Sequence, residues 1–189
     1  LSPTNYIVKV TDDNGCEVTQ SINIFGDTAP IIDLVDITNP LCEGDSNGII
    51  EIMASSGVGP YQYSVQTGTT IVLVNSNTFN NLSDGIYNVV IQDDNNCQTA
   101  TTIQTVEPDP LSVATAVTDL PCFEDVNGSI DLVANGGTAP YEYSIYNGAS
   151  PQTSGTFSFI PSGTYNVLIT DNNNCTITDL PFVNQPAPL

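Results

Sequence analysis

Acidic turns are the first feature of this sequence whose residue types could support chemistry. Three turns begin with carboxylates, at Asp12-Asp13, Asp93-Asp94 and Asp171, and each continues with asparagine. Side-chain oxygens are the ligands that calcium prefers, so these five aspartates are calcium candidates. The same residue types also suit hairpin turns, because they hydrogen-bond nearby backbone and tolerate positive φ. No turn matches the twelve-residue calcium loop, so the pattern favours turn formation over calcium binding. We therefore expect no cofactor. Calcium is the one metal ion that the composition would suit, because oxygen ligands are abundant.

The groups that are absent narrow the function further. The chain of 189 residues has one basic residue, Lys9, against 21 acidic residues, and it has no histidine. A net charge of −20 excludes a nucleic-acid partner, since phosphate binding depends on Lys and Arg. No apolar run is long enough for membrane insertion. The enzymatic chemistry that this composition still allows is glycoside hydrolysis by a pair of carboxylates. Such a pair needs two unlike environments, whereas the acids here occupy equivalent turns of a repeated unit. We therefore predict no catalytic residue and no enzyme.

Two pairs of tyrosines offer a different chemistry. Tyr61 with Tyr63, and Tyr141 with Tyr143, could stack on sugars in a carbohydrate-binding module. The first pair alternates with Val65 on one face of a strand, and this alternation favours core packing. A calcium-dependent carbohydrate-binding module is kept as the alternative function.

Internal repeats explain why these groups recur. The segment 6–12 returns at 87–93 and at 165–171, and a cysteine follows each copy, at Cys16, Cys97 and Cys175. A second block, 40–52, returns at 120–132 and brings Cys42 and Cys122, while proline-rich joints occur at 107–111 and 185–189. These offsets of about 80 residues predict the C-terminal part of a repeat at 1–30 and complete repeats at 31–110 and 111–189.

The elements that position these groups are strands. Apolar residues alternate with period two, and turns rich in Gly, Pro, Asn and Asp separate short segments. We predict an all-β fold of tandem immunoglobulin-like β-sandwich repeats, each with six or seven strands. In the last repeat the predicted strands lie near 111–119, 128–134, 140–147, 155–160, 164–170 and 175–183. Gly85-Ile-Tyr87 and Gly163-Thr-Tyr165 match the tyrosine corner of such sandwiches.

A family resemblance is carried by three motifs in each complete repeat. Pro-Tyr-x-Tyr-Ser (60–64 and 140–144), Gly-x-Tyr-x-Val (85–89 and 163–167) and Asp-x-Asn-x-Cys (93–97 and 171–175) together resemble the SprB repeat. That family is named for a large surface adhesin of gliding Bacteroidota. The resemblance implies a secreted cell-surface protein, exported by type IX secretion, in which many repeats form a filament for attachment and gliding motility.

In an exported protein the cysteines are expected to form disulfides. We predict Cys42–Cys97 and Cys122–Cys175, one within each complete repeat, with Cys16 pairing to an upstream cysteine. A sandwich with an odd number of strands would instead place the Cys42 loop and the Cys97 turn at opposite ends, and Cys42 would then lie near Cys175. Six strands or a folded-back loop would restore the pairing within a repeat.

The expected function is therefore a structural and adhesive one. We expect the chain to be a fragment of a longer filament whose partners are neighbouring repeats and external glycans or surfaces. Thr28, in Asp27-Thr28-Ala29, matches a short O-glycosylation pattern of Bacteroidota and is a glycosylation candidate.

Overall fold

The regular structure of the chain consists of β-strands. A computed structural model describes residues 2, 4–24, 26–146 and 150–189, and no helix able to span a membrane occurs among them. The strands are β1 (Thr4–Thr11), β2 (Glu17–Ile24), β3 (Ile31–Thr38), β4 (Gly48–Ser55), β5 (Gln62–Gln66), β6 (Thr78–Leu82), β7 (Gly85–Gln92), β8 (Gln98–Thr105), β9 (Ser112–Thr118), β10 (Gly128–Asn135), β11 (Glu142–Ser144), β12 (Thr156–Ile160), β13 (Gly163–Thr164), β14 (Val167–Thr170), β15 (Thr176–Asp179) and β16 (Phe182–Val183). The predicted all-β fold is confirmed.

The chain divides into two compact units. One comprises 1–36, 51–79 and 86–103, and the other comprises 37–50, 80–85 and 104–189. The second unit thus holds the whole segment 111–189 together with the loop that carries Cys42. The repeat boundaries at 30/31 and 110/111 stay a prediction.

The segment 111–189 is an immunoglobulin-like β-sandwich. One sheet has the order β12-β10-β9 and the other β11-β14-β15, with β13 and β16 forming a short additional pair. Alternate residues of β10 and β14 face the interior, so that Leu132 is 4% exposed and Ile169 is fully buried. The buried core comprises Leu120, Ile130, Leu132, Ala134, Tyr143, Ile145, Ile160, Tyr165, Val167, Ile169 and Val183.

Tyr165 forms the predicted tyrosine corner. Its ring is 7% exposed, and its hydroxyl donates to the carbonyl oxygen of Pro161 at 2.8 Å. Burial, followed by the neighbouring Tyr146, raises the pKa of the Tyr165 hydroxyl. The ring of Tyr146 lies edge-on at 6.2 Å from that of Tyr165. Tyr6 makes the same four-residue contact with Ser2, at 2.9 Å.

An extra strand-like segment lies between β11 and β12. Tyr143 and Gln152 exchange two backbone hydrogen bonds, of 2.8 and 2.9 Å, in an antiparallel bridge. The strand predicted at 140–147 reaches residue 147, which lies outside the described residues. The segment at Gln152 runs antiparallel to β11 and therefore acts as one more strand. The chain direction thus reverses once more than it would with the six strands predicted from the sequence.

The segment 31–110 repeats this arrangement. Its sheets have the orders β3-β4-β6 and β5-β7-β8, and Tyr63 pairs with Val74 as Tyr143 pairs with Gln152. Val89 on β7 is fully buried. The equivalent Val8 lies in the hairpin of β1 and β2, which is a separate two-stranded sheet in the described part of the chain, and Val8 is 44% exposed.

Candidate functional site

A disulfide between two repeats is the most distinctive chemical feature of the structure. Cys42 follows β3 and Cys175 precedes β15, and their Cα atoms lie 5.7 Å apart. They are separated by 133 residues in the sequence, so the bond joins the predicted repeat 31–110 to the repeat 111–189.

The predicted pairs Cys42–Cys97 and Cys122–Cys175 are therefore wrong. Within 111–189 the two cysteines lie at opposite ends of β10. The loop of Cys122 comes before the first residue of β10, and the turn of Cys175 lies beside the residues that follow the last residue of β10. There, Asn172 N–H donates to Thr138 O at 2.8 Å. The eight residues of β10 separate its two ends by about 23 Å at 3.3 Å per residue. A disulfide requires Cα atoms within about 7 Å, so the two cysteines of one repeat cannot meet.

The loop that carries Cys42 is held against the joint between the repeats. Gly44 N–H donates to Glu107 Oε2 at 2.8 Å, and Val106 N–H donates to Asn39 Oδ1 at 3.0 Å. Asp45 N–H closes the loop on the carbonyl oxygen of Cys42 at 3.1 Å. These hydrogen bonds hold the loop in place in addition to the disulfide.

The turn that carries Cys175 is organised by one buried carboxylate. Asp171 is 4% exposed, and its Oδ1 accepts the N–H groups of Asn173 and Cys175 at 2.8 and 2.9 Å. Its Oδ2 accepts the N–H of Thr138 at 2.7 Å, which ties the turn to the loop after β10. Asn173 Nδ2 then donates to the carbonyl oxygen of Leu41 at 2.9 Å, so the turn contacts the Cys42 loop directly.

Glycines allow the joint to pass close to this end of the sandwich. Gly137 N–H donates to Asp109 O at 2.7 Å, and Gly136 and Gly137 have φ of +70° and +57°. A Cβ on Gly136 would overlap the carbonyl oxygen of Pro110. The joint, the Cys42 loop and the turn together line a groove formed by Cys42, Glu43, Pro110, Leu111, Asn174, Cys175 and Thr176.

The calcium candidates divide into two groups in the structure. Asp12 and Asp93 use Oδ1 as Asp171 does, accepting the N–H of the cysteine four residues on at 2.8 Å in each case. Asp13 and Asp94 are exposed at the second turn position. Among the described residues no three His, Cys, Asp or Glu side chains cluster as metal ligands. The oxygens of the first aspartates thus serve the turn, and Gly15, Asn96 and Asn174 supply the left-handed φ that the same turns need.

The tyrosines proposed for sugar stacking are engaged in the fold. Tyr143 is 8% exposed and belongs to the core. Tyr61 and Tyr141 are partly buried, and each hydroxyl donates to a backbone carbonyl five residues earlier at 2.6 Å. Thr28 is exposed between β2 and β3, and its glycosylation stays a prediction.

Three cysteines have no disulfide partner in the described part of the chain. Cys16 and Cys122 are exposed and Cys97 is partly buried, although the sequence had predicted Cys16 alone to lack a partner here. Burial, followed by Asp93 and then Asp27, raises the pKa of the Cys97 thiol. Sequence equivalence relates Cys122 to Cys42, and Cys16 and Cys97 to Cys175, but it fits pairing within a repeat and pairing between repeats equally well, so strand direction decides between them.

Solved structures that are similar to this chain include two proteins with tandem domains. The N-terminal eight Ig domains of Down Syndrome Cell Adhesion Molecule isoform 1.30.30 align at 10% identity over 98% of this chain and 28% of that one, with a TM-score of 0.48. PcdhgB3 EC1-4 aligns at 10% identity over 99% of this chain and 66% of that one, with a TM-score of 0.37. The present chain thus spans less than a third of the first. No curated protein matches it.

A comparison with protein families gives a specific result. The SprB repeat matches residues 34–70 and 114–150, two segments that begin 80 residues apart and lie within the predicted complete repeats. Each match includes the cysteine loop and the Pro-Tyr-x-Tyr-Ser motif that carried the resemblance. Two tandem segments of this chain are therefore similar to the SprB repeat.

Proposed function

We propose that this chain is a non-catalytic, structural and adhesive segment of a long secreted filament or adhesin at the cell surface, used for attachment and gliding motility. The observation that carries the proposal is the joint between the two repeats, where the disulfide Cys42–Cys175 reinforces a set of hydrogen bonds. A surface filament must transmit force from one repeat to the next, and a covalent bond across the joint serves that purpose.

The energetics of the joint support a structural role. Closing a chain of 133 residues lowers the entropy of the unfolded state, which corresponds to about 5 kcal/mol in the chain-entropy model. A sandwich of about 80 residues has a small core, so this contribution is large relative to its own stability. The net charge of −20 adds repulsion between neighbouring filaments, which opposes lateral pairing of exposed strand edges.

Antibody labelling of living cells tests the location and the adhesive role together. Fab fragments raised against the folded chain should label intact cells of the source organism before permeabilisation and should reduce attachment to glass and gliding speed. Fab fragments pre-absorbed with the purified chain are the matched control. Labelling that requires permeabilisation would contradict secretion, and surface labelling without any loss of attachment would contradict adhesion.

A glycan array separates the alternative function. The chain should bind no defined sugar in a calcium-dependent manner if it is a structural segment. Binding to one sugar class with calcium, abolished by a chelator, would instead favour the carbohydrate-binding module.

A further inference from the structure

The loop of Cys122 is organised in the same way as the loop of Cys42. Glu124 N–H donates to Gln185 Oε1 at 3.1 Å, as Gly44 N–H donates to Glu107. Glu124 also has a φ of 56°, close to the 76° of Gly44, so a non-glycine residue is held in the same left-handed conformation. The backbone of the Cys122 loop is thus already in the form that the bonded Cys42 loop has.

The joint beside Cys122 is equivalent too. Asn184 N–H donates to Asp119 Oδ1 at 2.9 Å, matching the contact of Val106 with Asn39. The groove at this end is lined by Pro121, Cys122, Phe123, Pro186, Ala187, Pro188 and Leu189. Four of these residues are equivalent to Cys42, Glu43, Pro110 and Leu111, which line the groove where the turn 174–176 is seated. Phe123 is 41% exposed and Cys122 is exposed in this second groove.

We propose that the groove at Cys122 binds the Asp-x-Asn-x-Cys turn of a following SprB repeat, and that Cys122 forms a disulfide with the cysteine of that turn. The occupant is inferred from the chain itself, because the equivalent groove already holds such a turn and Cys42 is bonded to its cysteine. In the reaction two thiols lose two protons and two electrons to a disulfide oxidant such as oxidised glutathione. One S–S bond forms, and the oxidant is reduced to two thiols.

The same rule assigns a partner to the turn cysteines. Cys97 would bond to the loop cysteine of a preceding repeat, as Cys175 bonds to Cys42. In an array the covalent path then runs forward along the chain from Cys97 to Cys122. The disulfide of Cys122 carries it on to the turn cysteine of the following repeat, which lies two repeats beyond Cys97. That path has 25 residues and extends to about 90 Å, whereas two unbridged unfolded repeats of about 160 residues would extend to about 570 Å. The disulfides would therefore limit extension even where sandwiches unfold, and this proposal does not depend on the adhesive role.

A lengthened chain tests the assignment of Cys122. A second copy of residues 112–189 is added after Leu189, carrying Cys122→Ser so that one Cys122 remains and Ile177→Val so that its turn fragment has a distinct mass. The protein is folded in a glutathione redox buffer and digested, without reduction, by a protease that cleaves after Asp and Glu. The fragments are then identified by mass spectrometry.

The fragment 120–124 should be linked to the fragment 172–179 that carries Ile177→Val, while the unmodified fragment 172–179 is linked to Cys42. In a matched protein with Cys122→Ser in both copies, the turn cysteine of the added copy should become a free thiol and the bond to Cys42 should persist. A free Cys122 in the first protein, or a link from Cys122 to the turn of its own repeat, would overturn the proposal. Random linkage of all turn cysteines would overturn it as well.

Discussion

The disulfide Cys42–Cys175 should remove most of the chain from mechanical extension. When the two ends are pulled, the 133 residues between the cysteines carry no load, which leaves 56 of the 189 residues on the covalent path (189 less 133). At about 3.6 Å per residue, the oxidised chain should extend to about 200 Å. After reduction the whole sequence is stretched, and the limit becomes about 680 Å.

Single-molecule force spectroscopy measures this length directly. The chain is tethered at both ends and pulled first in oxidising buffer and then with a reductant, and the final contour length is compared. Cys42→Ser should give the longer value in either buffer, because the bond cannot form. Cys16→Ser, at a cysteine outside the bridge, is the matched control and should leave both values unchanged.

Three outcomes are distinguishable by length. Pairing within repeats, Cys42–Cys97 and Cys122–Cys175, would exclude 55 and 53 residues and give an oxidised length of about 290 Å. A length of about 680 Å before reduction would mean that no bridge forms. Either result would refute the assignment of a bond between the repeats.

Three further predictions concern the turn, the core and a free thiol. Asp171→Ala should lower the free energy of unfolding, measured by chemical denaturation, by about 3 kcal/mol, because three N–H groups lose their acceptor. The matched control is Asn172→Ala on the same turn. Its side chain is exposed, so this change should cost less than about 0.5 kcal/mol. Tyr165→Ala should cost about 3–5 kcal/mol, because it removes the buried ring and the hydroxyl. Tyr165→Phe should cost about 1 kcal/mol, because it removes the hydroxyl contact alone, and a Tyr165→Phe variant that loses no stability would contradict the tyrosine corner. Cys97 should be alkylated more slowly than an exposed thiol at pH 8, because its raised pKa lowers the thiolate fraction. The difference between the two alkylation rates should shrink as the pH rises. Asp27→Asn removes one cause of the raised pKa and should therefore accelerate the alkylation of Cys97.

Much of the fold was accessible from local sequence patterns. Alternating residues on β14 predicted a buried face, and Val167 and Ile169 are 1% and 0% exposed. The tyrosine corner followed from Gly-x-Tyr because the motif fixes a short local contact, from Tyr165 to Pro161. The role of Asp171 as a turn residue also followed from its neighbours. These features depend on contacts a few residues apart, which sequence spacing specifies well.

The disulfide pairing depended on a longer-range property, the direction of each strand. Counting six strands placed the Cys122 loop and the Cys175 turn at the same end of the sandwich. The segment at Gln152, which makes a single bridge to Tyr143, reverses the chain once more and moves them to opposite ends. A bridge of one residue pair has no apolar alternation, so periodicity cannot reveal it. The arrangement expected for an odd number of strands, with Cys42 near Cys175, is the one that this hidden reversal produces.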